Sequence, residues 1–329
     1  MKHICTLLTL VLLVVSLSTA YAGSDRRIGT AGAQELRIPV GSRGTAMGGA
    51  VLTDAYGVEA AYWNPAGLAD LEGTEAVFSH QPYIAGINVN FAGIATAIED
   101  FGTFAVTAKV VSIGDMEETT EAFPDGSGRV FGPSLTVLSM SYARILTNHV
   151  MFGITGKFIN ERIFEVSASG VSFDAGFVYD PEWHGVKIGM MIRDYGPEMR
   201  FNGRGFNRSL DQRPARPVSA GFDLPSSFNL GMSYDLIKNG SNAAMISGNF
   251  NSNNYSQDVW QGGAEYTYDG KYSLRAGYNY SNQNAWLYGF SLGGGLVYEF
   301  QGTKLSFEYS WTETAVFDAN QYFTVKVQF

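Results

Sequence analysis

Apolar and polar side chains alternate one by one through most of the chain after residue 74. In the segment Lys304 to Trp311, one face carries Leu305, Phe307, Tyr309 and Trp311, and the other carries Lys304, Ser306, Glu308 and Ser310. Successive side chains of a β-strand point to opposite faces, so this period of two predicts strands with one apolar face and one polar or small face. The same alternation runs through Ser172–Asp180, Lys271–Tyr280 and the last nine residues.

The pattern predicts fourteen strands. They are Glu75–Gln81, Ile87–Ile98, Gly102–Val111, Pro133–Arg144, Val150–Arg162, Ala168–Asp180, Gly185–Arg193, Ser227–Leu236, Ala243–Asn251, Asp258–Tyr268, Lys271–Tyr280, Gly289–Phe300, Thr303–Trp311 and Gln321–Phe329. A soluble antiparallel sandwich shows the same alternation. The connections favour a barrel, because short ones such as Asp269–Gly270 alternate with longer ones such as Ser112–Gly132 and Asp194–Ser226. Even strand number, short periplasmic turns and long external loops are typical of outer-membrane barrels.

We therefore predict an all-β protein, a transmembrane antiparallel β-barrel of about fourteen strands over residues 74–329. The final strand ends in Phe329, with Phe323, Val325 and Val327 at every second position before it. This ending resembles the C-terminal signal read by the barrel-assembly machinery. The alternative interpretation is an ordinary edge strand that stops at phenylalanine.

The first 22 residues are predicted to be a cleaved export signal. Lys2 supplies a positive start, Ile4 to Leu17 is apolar, and Ala20 and Ala22 fit the small-x-small cleavage pattern. A membrane anchor is the alternative, but this apolar run is shorter than the ~20 residues that a spanning helix needs. The only cysteine, Cys5, lies in this segment, so the mature chain has no disulfide and no thiol chemistry.

Composition excludes several functions. The net charge is −9 and the sequence has no basic cluster, so we do not expect the protein to bind nucleic acid. His80, His149 and His184 fall at different strand ends without metal-ligand spacing. No nucleophile elbow and no phosphate-binding loop occurs. We predict no catalytic residues, no metal and no cofactor. The sequence lacks the nucleophile–base pair that an outer-membrane lipid hydrolase would need.

Residues 23–73 are predicted to form a plug inside the barrel. This segment is rich in glycine, which permits close backbone approach, and Asn64-Pro65 reads as a turn. The residues expected in the plug or its gating turn are Met47, Gly48, Gly49, Trp63, Asn64, Pro65 and Ala66. A purely structural plug and a gate are both open interpretations.

The run from Gly29 to Ala50, followed by the sequence YWNPAGLA from Tyr62 to Ala69, resembles the opening of mature PorV/PorQ-family outer-membrane proteins. That family is similar to FadL-type transporters, whose N-terminal plug carries an Asn-Pro-Ala turn and whose barrels have fourteen strands. The resemblance covers Gly29 to Ala69 and implies a role in type IX protein secretion. The partners would be secreted proteins with sorting domains, bound by the external loops.

The alternative follows the FadL resemblance and implies passive uptake of a hydrophobic small molecule. Such uptake needs an apolar pocket, whereas the alternation predicts mostly small or polar inward positions. In either case outer-membrane lipids and the barrel-assembly machinery are expected partners, and the location is the outer membrane.

Three sets of charged residues are candidate binding features. The loop Asp115–Asp125 is acidic and is either a cation site or a solvated loop. The second set, which would bind carboxylates or phosphates or simply remain solvated, comprises Arg200, Arg204, Arg208, Arg213 and Arg216. The third is expected to face the lumen, where its members would neutralise one another and hold the plug, and comprises Glu265, Lys271, Arg275, Glu299, Lys304, Glu308 and Lys326.

Overall fold

The structure, a computed structural model, describes residues 28–206, 219–282 and 286–329, with the backbone alone at 208–210 and 213–215. The predicted signal peptide and its cleavage residues, Ala20 and Ala22, lie outside the described residues. No helix in the described ranges has both the length and the apolar character needed to cross a bilayer.

Fourteen antiparallel strands form one closed barrel, which confirms the predicted fold. Along the chain they are β1 (Thr74–Pro82), β2 (Asn88–Ile98), β3 (Gly102–Ser112), β4 (Ser134–Thr147), β5 (Val150–Ile163), β6 (Val166–Tyr179), β7 (Val186–Tyr195), β8 (Ser227–Asn239), β9 (Asn242–Asn253), β10 (Val259–Tyr268), β11 (Tyr272–Ser281), β12 (Tyr288–Phe300), β13 (Thr303–Thr314) and β14 (Asn320–Gln328). Each strand pairs with its neighbours in sequence, and β1 closes the barrel against β14 from Glu75↔Gln328 to His80↔Phe323.

The strands correspond one to one with those predicted, with ends displaced by a few residues. The largest differences, of three residues each, are at the ends of β4, β8 and β13, and β5 and β6 extend until only Phe164 and Glu165 separate them. The first three residues of β6, which extend beyond the barrel, pair with the short strand Phe201–Gly203. Two further short ladders lie in the long loops, Met116–Glu117 with Val130–Phe131 and Arg208–Leu210 with Arg213–Ala215.

The outer face of the barrel is apolar and the inner face is small or polar, as the alternation predicts. Met140 and Leu274 on the outer face are 70% and 69% exposed, whereas Ser139 and Arg275 beside them are buried. The ends of the barrel differ as well. One end has turns of two or three residues at most positions, and the other carries the loops 113–133 and 196–226.

Residues 28–73 run through the lumen as a chain of short helical turns. These are Gln34–Arg37, Ser42–Ala46, Ala60–Trp63 and Pro65–Asp70. The segment begins at the long-loop end, where the Gly29 amide donates to the Tyr255 carbonyl at 3.2 Å. It leaves at the short-turn end, where the Thr74 amide donates to the Phe329 carbonyl at 2.8 Å. Residues 28–73, called the plug below, therefore traverse the lumen from one end to the other.

Candidate functional site

Glycines on the inner wall accept the Asn64-Pro65-Ala66 turn of the plug. Gly153 on β5 lies opposite Gly176 on β6. A Cβ atom at Gly153 would approach the Pro65 carbonyl carbon to 2.3 Å, and one at Gly176 would approach Asn64 Oδ1 to 1.9 Å. The two glycines form a notch that a side chain would fill.

A second notch accepts Met47 and Gly48. Gly263 on β10 lies opposite Gly277 on β11. A Cβ atom at Gly277 would approach the Met47 carbonyl carbon to 2.1 Å and the Gly48 nitrogen to 2.2 Å. Gly48 and its neighbour Gly49 have φ values of 64° and 86°, a backbone region that favours glycine. Five of the seven residues expected in the plug or its gating turn, Met47, Gly48, Asn64, Pro65 and Ala66, therefore lie in these two notches.

Asn64 organises its turn through both ends of its carboxamide. Its Nδ2 donates to the Leu52 carbonyl at 2.6 Å, and its Oδ1 accepts from the Ala66 amide at 3.2 Å. The second bond caps the 3₁₀ turn Pro65–Asp70, in which proline occupies the first position. Trp63 donates from Nε1 to the Val40 carbonyl at 3.1 Å, which ties the turn to an earlier part of the plug.

Six buried charges of alternating sign join the plug to the wall near β10–β14. Arg43 of the plug makes a bidentate pair with Glu265, with Nε–Oε2 at 3.0 Å and Nη2–Oε1 at 3.1 Å. The chain of contacts continues through Arg275 to Glu308, with Nη1–Oε1 at 3.3 Å. Lys326 Nζ then lies 3.1 Å from Glu308 Oε2 and 3.0 Å from Oε2 of Glu59 on the plug. The network is formally neutral.

This network contains four of the seven charged residues expected in the lumen. They are Glu265, Arg275, Glu308 and Lys326. The other three lie at the exposed short-turn end, so for them the prediction of plug contact is wrong. Lys271 pairs with Asp269 at 2.8 Å, and Glu299 and Lys304 are exposed beside the next turn. The alternation identifies their face but not their depth along the strand.

A second charged cluster lies on β5–β7, and sequence reasoning missed it. Lys157 Nζ contacts Asp174 Oδ2 and Asp194 Oδ1, each at 2.6 Å. Next to it the Arg193 guanidinium lies 4.0 Å from the centre of the Tyr62 ring on the plug. On the side of β1–β4 the contact is mainly apolar, where Val58, Leu68 and other plug residues pack against the wall, and Glu75 and Lys109 add one hydrogen bond each to the plug backbone.

A carboxyl pair lies where the plug begins. Burial and the facing carboxylate of Glu161 raise the pKa of Glu35 to about 8. Glu35 is 2% exposed and sits in the 3₁₀ turn Gln34–Arg37, next to Leu36 in an apolar cluster.

A cavity of about 130 Å³ lies between the plug and the long-loop end. Its floor is formed by the plug, through Gly48, Gly49, Leu52, Tyr62 and Trp63. Its wall is formed mainly by β8–β13, and the loop residues Tyr255 and Trp286 complete it. Three of the seven residues expected in the plug or its gating turn, Gly48, Gly49 and Trp63, border the cavity, and Met47, Asn64, Pro65 and Ala66 are buried away from its lining.

Carboxamides dominate the cavity wall. They are Asn229, Asn249, Asn251, Asn253, Gln261 and Asn279. Asn249, Gln261 and Asn279 are directly opposite one another on β9, β10 and β11. Sequence reasoning did not identify this set, although the spacing of Asn249, Asn251 and Asn253 by two residues is a visible signal.

The other candidate features are dispersed. In the acidic loop, Glu118 accepts from Ser127 Oγ at 2.9 Å and pairs with Arg129 at 3.4 Å. In the arginine-rich loop, Arg200 faces Glu198 at 3.7 Å, and Arg216 lies outside the described residues. Within the described part of the chain, no three His, Cys, Asp or Glu side chains are grouped as metal ligands would be. The C-terminal residues Phe323, Val325 and Phe329 point outward and are exposed, and Val327 is partly exposed.

The site is thus a cavity above an internally braced plug in a fourteen-stranded barrel, an arrangement suited to a channel. No sequence-family profile and no curated protein matches the chain. Solved structures do. The P. putida toluene transporter TodX has a TM-score of 0.55 at 15% identity, covering 88% of this chain and 98% of that one. The CymD monoaromatic hydrocarbon channel has a TM-score of 0.54 at 15% identity, covering 88% of this chain and 96% of that one. A Pseudomonas aeruginosa FadL homologue has a TM-score of 0.52 at 14% identity, covering 88% of this chain and 98% of that one.

At this level of identity these likenesses show the fold alone, which this chain shares with a FadL homologue and with two other outer-membrane proteins of the same barrel. They agree with the fold expected from the FadL resemblance and do not test the PorV/PorQ resemblance.

Proposed function

We propose that this protein is an outer-membrane channel for passive uptake of a small molecule, with the plug as its gate. The observation that carries the proposal is the position of the cavity. A solute entering from the long-loop end reaches the cavity and then meets Gly48, Gly49 and Leu52 of the plug as its floor. Passage to the other end requires that this floor move.

The outer surface supports a membrane location. Large apolar side chains cover the outer face on all sides, which is the surface a barrel presents to lipid. Exposed aromatic residues gather near the short-turn end, as in the girdles that mark a membrane interface. They include Phe101, Tyr179, Trp183, Tyr268, Tyr272, Tyr298 and Phe300.

The names of the neighbours favour uptake over secretion. Two of the matched proteins are named as a hydrocarbon channel and a toluene transporter, and passive uptake needs no catalytic group. One observation supports the secretion role, namely the motif resemblance to PorV/PorQ proteins. The residues of that motif are packed in the lumen, however, whereas binding of secreted proteins was expected to use the external loops. Deletion followed by surface proteomics tests it, since unchanged attachment of sorting-domain cargo contradicts that role.

The gate is tested by tying the plug to the wall. Thr45 Oγ1 and Ser310 Oγ are 2.6 Å apart and both residues are buried. Replacing both, Thr45→Cys with Ser310→Cys, gives one unambiguous pair, because the only native cysteine is Cys5 in the predicted signal peptide. We expect oxidation to stop solute entry into protein-containing vesicles and reduction to restore it.

The two single variants are the controls for that experiment, since neither can form the bridge. Entry that is equal in the oxidised and reduced double variant would show that the plug does not gate passage. If vesicles containing the wild-type protein took up no solute faster than protein-free vesicles, the channel proposal itself would fail.

We also propose that Phe323, Val325, Val327 and Phe329 form the recognition signal for barrel assembly. Their support is an outward-facing, accessible position on β14. Phe329→Ala is expected to lower the amount of folded barrel in the outer membrane, measured by heat-modifiable migration. Phe300→Ala, at an exposed aromatic residue of similar depth, is the matched control.

A further inference from the structure

We propose that the cavity binds a neutral single-ring molecule carrying several hydroxyl groups, of the monosaccharide class, rather than a hydrocarbon. This inference rests on the proposed channel function and names its substrate class. It follows from the side chains of this chain, which differ from what a hydrocarbon site requires.

The carboxamides give the wall paired donors and acceptors. Each carboxamide offers two N–H donors and a carbonyl oxygen with two lone pairs. Hydrogen bonds within the protein use only part of this capacity. Asn249 Nδ2 donates to the Gly49 carbonyl at 2.9 Å, Asn251 Nδ2 donates to Gln261 Oε1 at 3.1 Å, and Asn279 Oδ1 accepts from Trp286 Nε1 at 3.1 Å. The remaining groups match vicinal hydroxyls, which both donate and accept.

Two buried hydroxyls add to this capacity. Ser291 on β12 and Thr312 on β13 lie opposite each other and border the cavity. They are 0% and 5% exposed, and within the described structure neither hydroxyl has a hydrogen-bond partner. Buried polar groups in folded proteins are nearly always paired. A hydroxylated solute would supply the missing partners, whereas a hydrocarbon would leave them unpaired.

The apolar part of the lining is aromatic rather than aliphatic. Leu52 and Val259 are the aliphatic side chains, apart from prolines, that line the cavity in the described structure. The rings are those of Tyr62, Trp63, Tyr255, Trp286, Tyr288 and Tyr322. Flat ring faces suit the C–H face of a sugar ring while carboxamides take its hydroxyls. The volume of about 130 Å³ is close to the ~150 Å³ of an engineered cavity that binds benzene, so the space fits one ring.

The charges of Arg193 and Asp194 at the cavity are matched within the wall, and the cationic Arg37 is engaged by Gln34 and a tyrosine ring, which favours a neutral ligand. Asp194 is bound by Lys157 at 2.6 Å. Arg193 lies against Asp194 and the Tyr62 ring, and Arg37 lies 4.2 Å from the centre of the Tyr255 ring.

Direct binding is the first test. Trp63 and Trp286 border the cavity, so their fluorescence reports occupancy in the purified protein in detergent. We would titrate D-glucose, D-galactose, D-xylose and toluene. At least one sugar is expected to change the emission saturably, and toluene is not. Saturable binding of toluene without any sugar, or no binding of either, overturns the inference.

The matched variants are Asn251→Leu in the cavity and Asn88→Leu on the exposed start of β2. Leucine has the same number and branching of side-chain heavy atoms as asparagine, and neither asparagine side chain is bonded to the plug. We expect Asn251→Leu to weaken sugar binding about tenfold or more and Asn88→Leu to leave it unchanged. Equal affinities in the two variants contradict the proposal.

Vesicle entry separates this inference from the channel proposal. Entry of toluene but not of the three sugars refutes the substrate class and leaves the channel standing. Absence of all entry refutes the channel. Sugar binding in the titration would in that case identify a binding site without transport.

Discussion

The notch at Gly153 gives the sharpest test of how the plug is held. In Gly153→Ala the new Cβ would lie 2.3 Å from the Pro65 carbonyl carbon, 2.4 Å from its oxygen and 2.5 Å from the Ala66 nitrogen. All three are backbone atoms, so no side chain can rotate away, and either the turn or β5 must shift. Overpacking of this kind costs about 1–3 kcal/mol. We expect a lower unfolding free energy and a displaced plug, seen as higher ion conductance in planar bilayers.

The same strand supplies the control. Gly156 lies on the outer face of β5, where a Cβ would approach nothing nearer than Phe173 at 3.8 Å. Replacing glycine by alanine in a strand interior is itself favourable by roughly 0.5–1 kcal/mol, and Gly156→Ala measures that contribution. The difference between the variants isolates the contact with the plug. Equal unfolding free energies and equal conductances would refute the close approach of turn and wall.

Three further predictions concern buried polar groups. Glu308→Gln removes the carboxylate that pairs with Arg275 and Lys326. It should lower the unfolding free energy, measured by urea titration in lipid vesicles, by about 3–5 kcal/mol. The control, Glu299→Gln at an exposed position, should have little effect. Because the pKa of Glu35 is raised by burial and by Glu161, the folded protein holds its proton more tightly than the unfolded chain. The contribution of Glu35 to stability is therefore greatest below the ordinary carboxyl pKa and is lost as the pH rises to about 8. Glu35→Gln should remove this contribution from the pH dependence of the unfolding temperature. Asn64→Asp places a carboxylate oxygen against the Leu52 carbonyl and should expose the plug to protease, while retention of wild-type resistance would contradict the assigned bond.

The barrel was predictable because the pattern that specifies it lies within each strand. Alternate residues of a strand face the outside and the lumen, so residues such as Phe307 and Glu308 are enough to assign the two faces. Turn lengths then indicate which end is which. What alternation does not contain is depth along the strand, and this explains the error at Lys271, Glu299 and Lys304. They have the parity of buried Arg275 and Glu308 but stand at the exposed end.

The site was predictable only in part, because it depends on which strands become neighbours. The glycine-rich plug and its Asn64-Pro65 turn are visible in the sequence. The matching notches are not, since Gly153 and Gly176 are 23 positions apart and meet only through the β5–β6 register. The row of Asn249, Gln261 and Asn279 likewise requires the registers of three strands.

The way the plug is fastened limits which part of it can open. One flank holds buried charges, Arg43 and Glu59, whose separation from the wall would leave ions unpaired, and the other flank is an apolar cluster. Between Arg43 and Glu59, the stretch from Thr45 to Leu52 carries no charge. It is held by neutral hydrogen bonds from Thr45 to Ser310 and from Asn249 and Ser247 to its carbonyls, and it forms the cavity floor. Displacing this stretch breaks a few neutral hydrogen bonds, whereas ejecting the whole plug also separates the plug–wall ion pairs Arg43–Glu265 and Glu59–Lys326. We therefore expect passage through a local opening beneath the cavity, with both flanks still in place.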